Sequence, residues 1–133
     1  MEEKEIEKRT CIRFQIPGAT ISYQFKEHME EFSPLVDMSR GGVKFIGKKP
    51  PEIHTEVTLN ISIPGEIIPL TIHGKVQWIS FVEAKNQYFI GVQFNPYGEK
   101  EGENYPGNMV KIIALEQKYA IKDKAKTEKF EIN

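Results

Sequence analysis

Little in this chain suits covalent cross-linking, metal chemistry or membrane insertion. It has one cysteine, Cys11, which excludes an internal disulfide and fits a reducing compartment. Its three histidines, His28, His54 and His73, are scattered, with no cysteine or carboxylate at ligand spacing, so structural or surface roles and no metal site are expected. No apolar run approaches the ~20 residues that cross a bilayer, so no membrane insertion is expected. The start, Glu2-Glu3-Lys4-Glu5, is the opposite of a signal peptide's basic head and apolar stretch. A charge excess is missing too: 18 Lys and Arg against 19 Asp and Glu leave a net charge of -1. DNA and RNA binders are usually strongly basic, so neither is expected as a partner and any anion site must be local. Asp37 and Ser39 pair an acid with a nucleophile, but no adjacent histidine or lysine offers an activating base. Cys11, flanked by arginines, reads as a small half-buried residue rather than a reactive thiol. The expectation is a soluble, cytoplasmic, non-enzymatic protein with no cofactor.

What is present is period-two alternation. At 133 residues the chain fits one domain. Residues 1–8 are rich in Glu and Lys and read as a mobile arm. Ile12, Phe14 and Ile16 then alternate with Arg13 and Gln15, as a half-buried strand requires, until Pro17-Gly18 breaks the run. Ile21, Tyr23 and Phe25 form a second strand. A charged turn is expected over Lys26–Glu31, followed by an edge segment, Phe32–Val36, interrupted by Pro34. After a turn at Asp37–Gly42, Val43 and Phe45 flank Lys44 in another strand, and Lys48-Lys49-Pro50-Pro51 is a loop. Val57, Leu59, Ile61 and Ile63 alternate cleanly. Pro64-Gly65-Glu66 closes a hairpin onto a strand in which Leu70, Ile72, Val76 and Trp78 face inward. Tyr88, Ile90, Val92 and Phe94 form the last strand. Such a series predicts a closed antiparallel barrel or sandwich. The tail changes period: Met109, Ile112, Ile113, Leu115 and Tyr119 share one helix face, expected to pack on an open end of the barrel. Asn104 or Asn108 is the candidate cap, and residues 121–133 are a charged tail.

Two clusters carry chemistry. The first is Lys8-Arg9-Thr10-Cys11-Ile12-Arg13. In extended chain, arginines four apart lie on one side, about 13 Å apart at ~3.3 Å per residue. Each guanidinium offers a planar fork for phosphate or for the O6 and N7 acceptors of guanine. The second is Asp37-Met38-Ser39-Arg40-Gly41-Gly42. Asp37 could accept from a guanine's N1 and N2 donors, and Ser39 adds a hydroxyl. Gly41 and Gly42 would admit positive φ and close approach of a ligand to the backbone. Singly, each cluster is first of all a common pair of arginines or a hairpin turn.

Together, in this order on a β-rich domain, they resemble the PilZ family. That family carries R-x-x-x-R followed by D/N-x-S-x-x-G, and Arg9, Arg13, Asp37, Ser39 and Gly42 fill every position. Gly74-Lys75-Val76-Gln77-Trp78 and Tyr88-Phe89-Ile90-Gly91-Val92-Gln93-Phe94 are similar to later strands of the family. The resemblance implies a mainly β fold: a six-stranded antiparallel barrel with a C-terminal helix, the domain spanning residues 9–120. It implies cyclic di-GMP as the ligand, held by Lys8, Arg9, Arg13, Asp37, Ser39, Gly41 and Gly42. Arg9 and Arg13 would take phosphate and the Hoogsteen edges of guanine, with Asp37, Ser39 and Gly42 beneath the bases. The residue before the first arginine bears on whether one ligand or a stacked pair binds. Here it is Lys8, which keeps the charge but lacks a planar stacking surface, and the stoichiometry stays open. The function so implied is a receptor or adaptor, monomer or homodimer, whose arm reorders on binding and which signals to an unidentified downstream protein. The alternatives are a PilZ-like protein-interaction module that binds no nucleotide and a small-barrel single-strand nucleic-acid binder.

Overall fold

The computed structural model describes residues 12–132, with side chains from 12 to 120. The expectations for the arm 1–8, Lys8, Arg9 and Cys11 lie outside the described residues. Six strands form the barrel: β1 (Thr20–Phe25), β2 (His28–Met38), β3 (Gly42–Gly47), β4 (Glu56–Ser62), β5 (Leu70–Val82) and β6 (Gln87–Phe94). Their order around the closed sheet is β1-β2-β3-β6-β5-β4, every pair antiparallel, and β4 returns to β1 so that no open edge remains. A short 3-10 turn, Glu83–Lys85, joins β5 to β6, and one helix, α1 (Pro106–Ile132), follows the barrel. The fold class is the one expected.

Alternation places the core. Ile21 and Tyr23 of β1, Val43 and Phe45 of β3, Leu59 and Ile61 of β4, Ile72 and Val76 of β5 and Ile90 of β6 are all buried inside the barrel. Ile112 and Leu115 of α1 join the same cluster. They lie three residues apart on one helix face, as a packed helix requires. The helix continues to Ile132, through the segment read as a charged tail.

The structure departs from the sequence reading at four places. Ile12–Ile16 is not a regular strand: only Phe14 pairs, with Met38, through two reciprocal 2.9 Å backbone hydrogen bonds. The chain turns away directly afterwards at Pro17-Gly18, where Gly18 has φ +81°. Phe14 and Ile16 are buried, whereas Ile12 is half exposed. Second, Phe32–Val36 is no edge. β2 starts at His28, the preceding turn is only Lys26-Glu27, and β2 lies between β1 and β3. Its residues up to Pro34 pair with β1 and those from Leu35 pair with β3. Pro34 thus sits at the changeover, where an absent N–H is best tolerated.

Third, Trp78 faces outward and is 42% exposed. Val76 pairs with Val92 but Trp78 pairs with Gly91, so Gln77 is an extra residue in β5. A one-residue bulge inverts the alternation beyond it, and Ile79 takes the place against the core. Fourth, neither asparagine is the helix cap. The buried Asn104 donates to the carbonyls of His73 (2.9 Å) and Asn95 (3.0 Å) and accepts from the His73 N–H (2.7 Å). It fastens the loop after β6 onto β5. Asn108 lies inside α1 and donates to the Thr71 carbonyl at 2.9 Å. Pro106 opens the helix, a position where its missing N–H costs nothing.

Candidate functional site

The end of β2, the turn that follows and the adjoining parts of β3, β5 and β6 enclose an outer-surface groove of about 560 Å³. Five of the residues singled out in the sequence line it: Arg13, Asp37, Ser39, Gly41 and Gly42. Lys8 and Arg9 lie outside the described residues. Arg13 reaches the groove because the neighbouring Phe14–Met38 bridge sends Phe14 inward and Arg13 outward, beside Asp37.

Asp37 is the electrostatic centre. Its Oδ1 receives both Nε and Nη2 of Arg13 at 2.6 Å, and Lys44 Nζ stands 3.9 Å from Oδ2. Lys44 is its cross-strand partner on β3 and also lies 5.1 Å from the centre of the Phe89 ring. The Arg13 side chain is 48% exposed and that of Asp37 19%, so the pair is open to exchange partners with an incoming molecule.

The turn between β2 and β3 is held on several sides. Ser39 is buried; its N–H donates to the Gly42 carbonyl (2.8 Å) and its Oγ accepts from the Gly41 N–H (3.2 Å). The Phe94 N–H donates to the Gly41 carbonyl (2.8 Å), and the Tyr97 hydroxyl donates to the Arg40 carbonyl (3.3 Å). Burial pushes the Tyr97 phenol up to about 12. The Arg40 guanidinium turns towards α1, where Nη2 meets Glu116 Oε2 at 2.8 Å and Nε lies 3.3 Å from both carboxylate oxygens.

The glycines act differently from the expectation. Neither Gly41 nor Gly42 has a positive φ; among the described glycines only Gly18, Gly65 and Gly102 do. Gly42 is required by close approach, since a Cβ there would stand 2.5 Å from the Val92 carbonyl oxygen of β6. A side chain at Gly41 would meet open space.

Lys44, Gln77, Trp78 and Gln93 also line the groove and were not singled out in the sequence. Lys44 had a signal, because it alternates with the inward Val43 and Phe45 beside the Asp37 motif. Trp78 had none: its outward direction depends on the bulge at Gln77. The loop lysines Lys48 and Lys49 lie beyond the end of β3 opposite Gly42 and do not line the groove. The Lys48 N–H donates instead to Glu30, and the Lys49 carbonyl accepts from Tyr23.

A planar guanidinium, an ammonium, a carboxylate, a hydroxyl and an exposed indole face thus converge on one groove. That set suits recognition of a molecule with planar rings, polar donors and negative charge.

A family model for the PilZ domain matches residues 7–105. No curated protein matches the chain. Among solved structures, it is similar to the Bacillus subtilis inhibitor of motility, MotI/DgrA, with a TM-score of 0.60 and 15% identity, over 80% of this chain and 48% of that one. It is also similar to the K. pneumonia MrkH-c-di-GMP complex, with a TM-score of 0.60 and 17% identity, over 89% of this chain and 55% of that one. The chain spans about half the length of each, and at these identities the likeness is one of fold.

Proposed function

The chain belongs to the PilZ domain family, and from that membership we propose that it is a receptor for cyclic di-GMP whose site is the groove at Asp37. The observation that carries this reading is the convergence of Arg13, Asp37 and Trp78 on one surface. Cyclic di-GMP has two phosphodiester charges and two guanines. The guanidinium fork of Arg13 suits a phosphate or a guanine O6–N7 edge. The Asp37 carboxylate is an acceptor for the N1 and N2 donors of a guanine, and the exposed face of Trp78 is a platform on which a base can stack. Asp37 and Arg13 satisfy one another; a ligand that offers both a donor edge and an anion satisfies each separately, so the exchange leaves no charge unpaired.

In this reading Lys8 and Arg9 complete the site from the arm, with Arg9 joining Arg13 on phosphate or guanine and Lys8 adding charge. Ser39, Gly41 and Gly42 form the floor beneath the bases. Ordering of the arm over the ligand opposes affinity by roughly 1–2 kcal/mol per fixed residue, and the charge-assisted contacts of Arg9 and Arg13 offset that cost. The reordered arm presents a new surface to a downstream protein. No helix among the described residues is long and apolar enough to cross a membrane.

The test is isothermal titration of the full chain with cyclic di-GMP near physiological salt, with Arg13→Ala and Asp37→Ala in parallel. Saturable binding, lost in both variants, supports the receptor and counts the ligands. A folded protein that evolves no heat and shows no ligand-induced rise in melting temperature would instead be a protein-interaction module on the same fold.

A further inference from the structure

Among the described residues Glu116 is the one buried charged side chain, 5% exposed, and it lies on the face of α1 that carries Ile112 and Leu115. Its partner, Arg40, belongs to a distant part of the chain: it stands between Ser39 and Gly41, both of which line the groove. Burying a carboxylate is unfavourable unless it is paired, and an apolar residue of similar size would serve packing alone as well or better. The forked contact, with three N···O distances of 2.8–3.3 Å, therefore calls for a role beyond packing.

We propose that Glu116 is a positioning residue for the groove, acting through Arg40: when α1 is docked it holds the Ser39–Gly42 turn in the shape that receives the ligand. The turn needs such support. It contains two adjacent glycines, so its free backbone samples many conformations. Two of its restraints, from the Phe94 N–H and the Tyr97 hydroxyl, grip backbone carbonyls from β6 and the loop beyond it. A further one, from a side chain, comes from α1. The ion pair exists only while the Ile112–Leu115 face sits on the barrel, because the carboxylate projects from that same face. Docking of α1 and occupancy of the groove consequently favour one another, and by linkage each must strengthen the other by the same factor. The C-terminal helix is then the element on which occupancy of the groove is felt, remote from the ligand. This inference rests on the groove being the cyclic di-GMP site.

The experiment measures cyclic di-GMP affinity by titration for the parent, Glu116→Gln, Arg40→Gln and the double variant, each checked for folding by circular dichroism and melting. Glu116→Gln keeps the shape and removes the charge. Arg40→Gln, at a half-exposed side chain, is the second route if the first variant does not fold. Each single change should weaken binding about five- to tenfold, at the low end of usual coupling factors. The double variant should be no weaker than Arg40→Gln alone, since the contact with Glu116 is already lost there. Arg40→Lys, which restores a charge, should recover part of the loss. Amide exchange across residues 106–120 should slow on ligand binding in the parent and change little in the variants, a readout that a merely structural ion pair would not move. Folded single variants that bind within twofold of the parent, or losses that multiply in the double variant, would overturn the proposal while the receptor stands. So would helix exchange indifferent to the ligand. A parent that binds no cyclic di-GMP overturns the receptor reading, and this inference falls with it.

Discussion

The Trp78 indole lies over Gly91, its cross-strand partner, so closely that a Cβ at position 91 would stand only 2.2 Å from the ring's Cε2 and Nε1. The glycine is the shelf on which the indole rests, and it leaves the other ring face towards the groove. Trp78 is the chain's only tryptophan, so its emission reports on the groove without interference. We expect saturable quenching during titration with cyclic di-GMP. Trp78→Ala should weaken binding by about 1–3 kcal/mol, the usual worth of a base stacked on an aromatic ring, and Gly91→Ala should shift the emission of the free protein by displacing the ring. Emission unchanged at saturating ligand, with binding seen by calorimetry, would remove Trp78 from the site.

Arg13 and Asp37 allow a separation of stability from binding. Their pair is half-exposed on the arginine side, and ion pairs open to solvent contribute about 0–1 kcal/mol. Arg13→Ala should therefore shift the urea midpoint little. Its effect on cyclic di-GMP affinity should be several kcal/mol, since a hydrogen bond to a charged group contributes about 1.5–3 kcal/mol and the fork can make two. Equal affinity in parent and variant would show that the ligand lies elsewhere.

Asn104 should behave in the opposite way. Its side chain satisfies the His73 N–H and the carbonyls of His73 and Asn95 in the interior. Asn104→Ala removes the partner of the His73 N–H and of the Asn95 carbonyl, while the His73 carbonyl keeps the Asn95 N–H at 2.9 Å, at about 1–3 kcal/mol for each donor or acceptor left buried and unsatisfied. Partial relaxation makes about 2–4 kcal/mol the expected loss, measured by urea unfolding. A loss below 1 kcal/mol would mean that water replaces the amide there.

Alkaline pH should loosen the turn beside the groove. Burial raises the Tyr97 phenol from its ordinary value of 10 to about 12, so the folded state holds its proton where the unfolded chain releases it. Its contribution to stability is whole below pH 10 and is lost as pH rises through 12. Ionisation also removes the donor to the Arg40 carbonyl. Tyr23 is raised as well, first by burial and then by its hydrogen bond to Glu30. Melting temperature should therefore fall more steeply with pH between 10 and 12 in the parent than in Tyr97→Phe, which keeps only the Tyr23 share. Parallel curves would assign the whole alkaline loss to other groups.

The barrel was legible because its strands are amphipathic: Val57, Leu59 and Ile61 alternate with polar neighbours and are buried as that alternation requires. Legibility failed where pairing changed the count. Trp78 reads inward by parity from Ile72 and Val76, and the extra residue at Gln77 turns it out. Ile12 alternates correctly with Phe14, yet only Phe14 has a partner strand beside it. Asn104 has the composition of a cap, but the nearest backbone groups to its side chain belong to β5. In each case a local pattern was sound and a distant segment decided the outcome.

The sequence alone determined the barrel class and the chemical types available at the groove. Side-chain periodicity and residue identity are local properties, set by which atoms follow one another along the chain. That Arg13 faces Asp37, that Trp78 lies on Gly91 and that Glu116 grips Arg40 were decided by the tertiary structure alone. Those three pairs join residues 24, 13 and 76 positions apart. Their contact depends on strand register, on a bulge and on the docking of a helix, which are settled by the packing of the whole core rather than by any one segment.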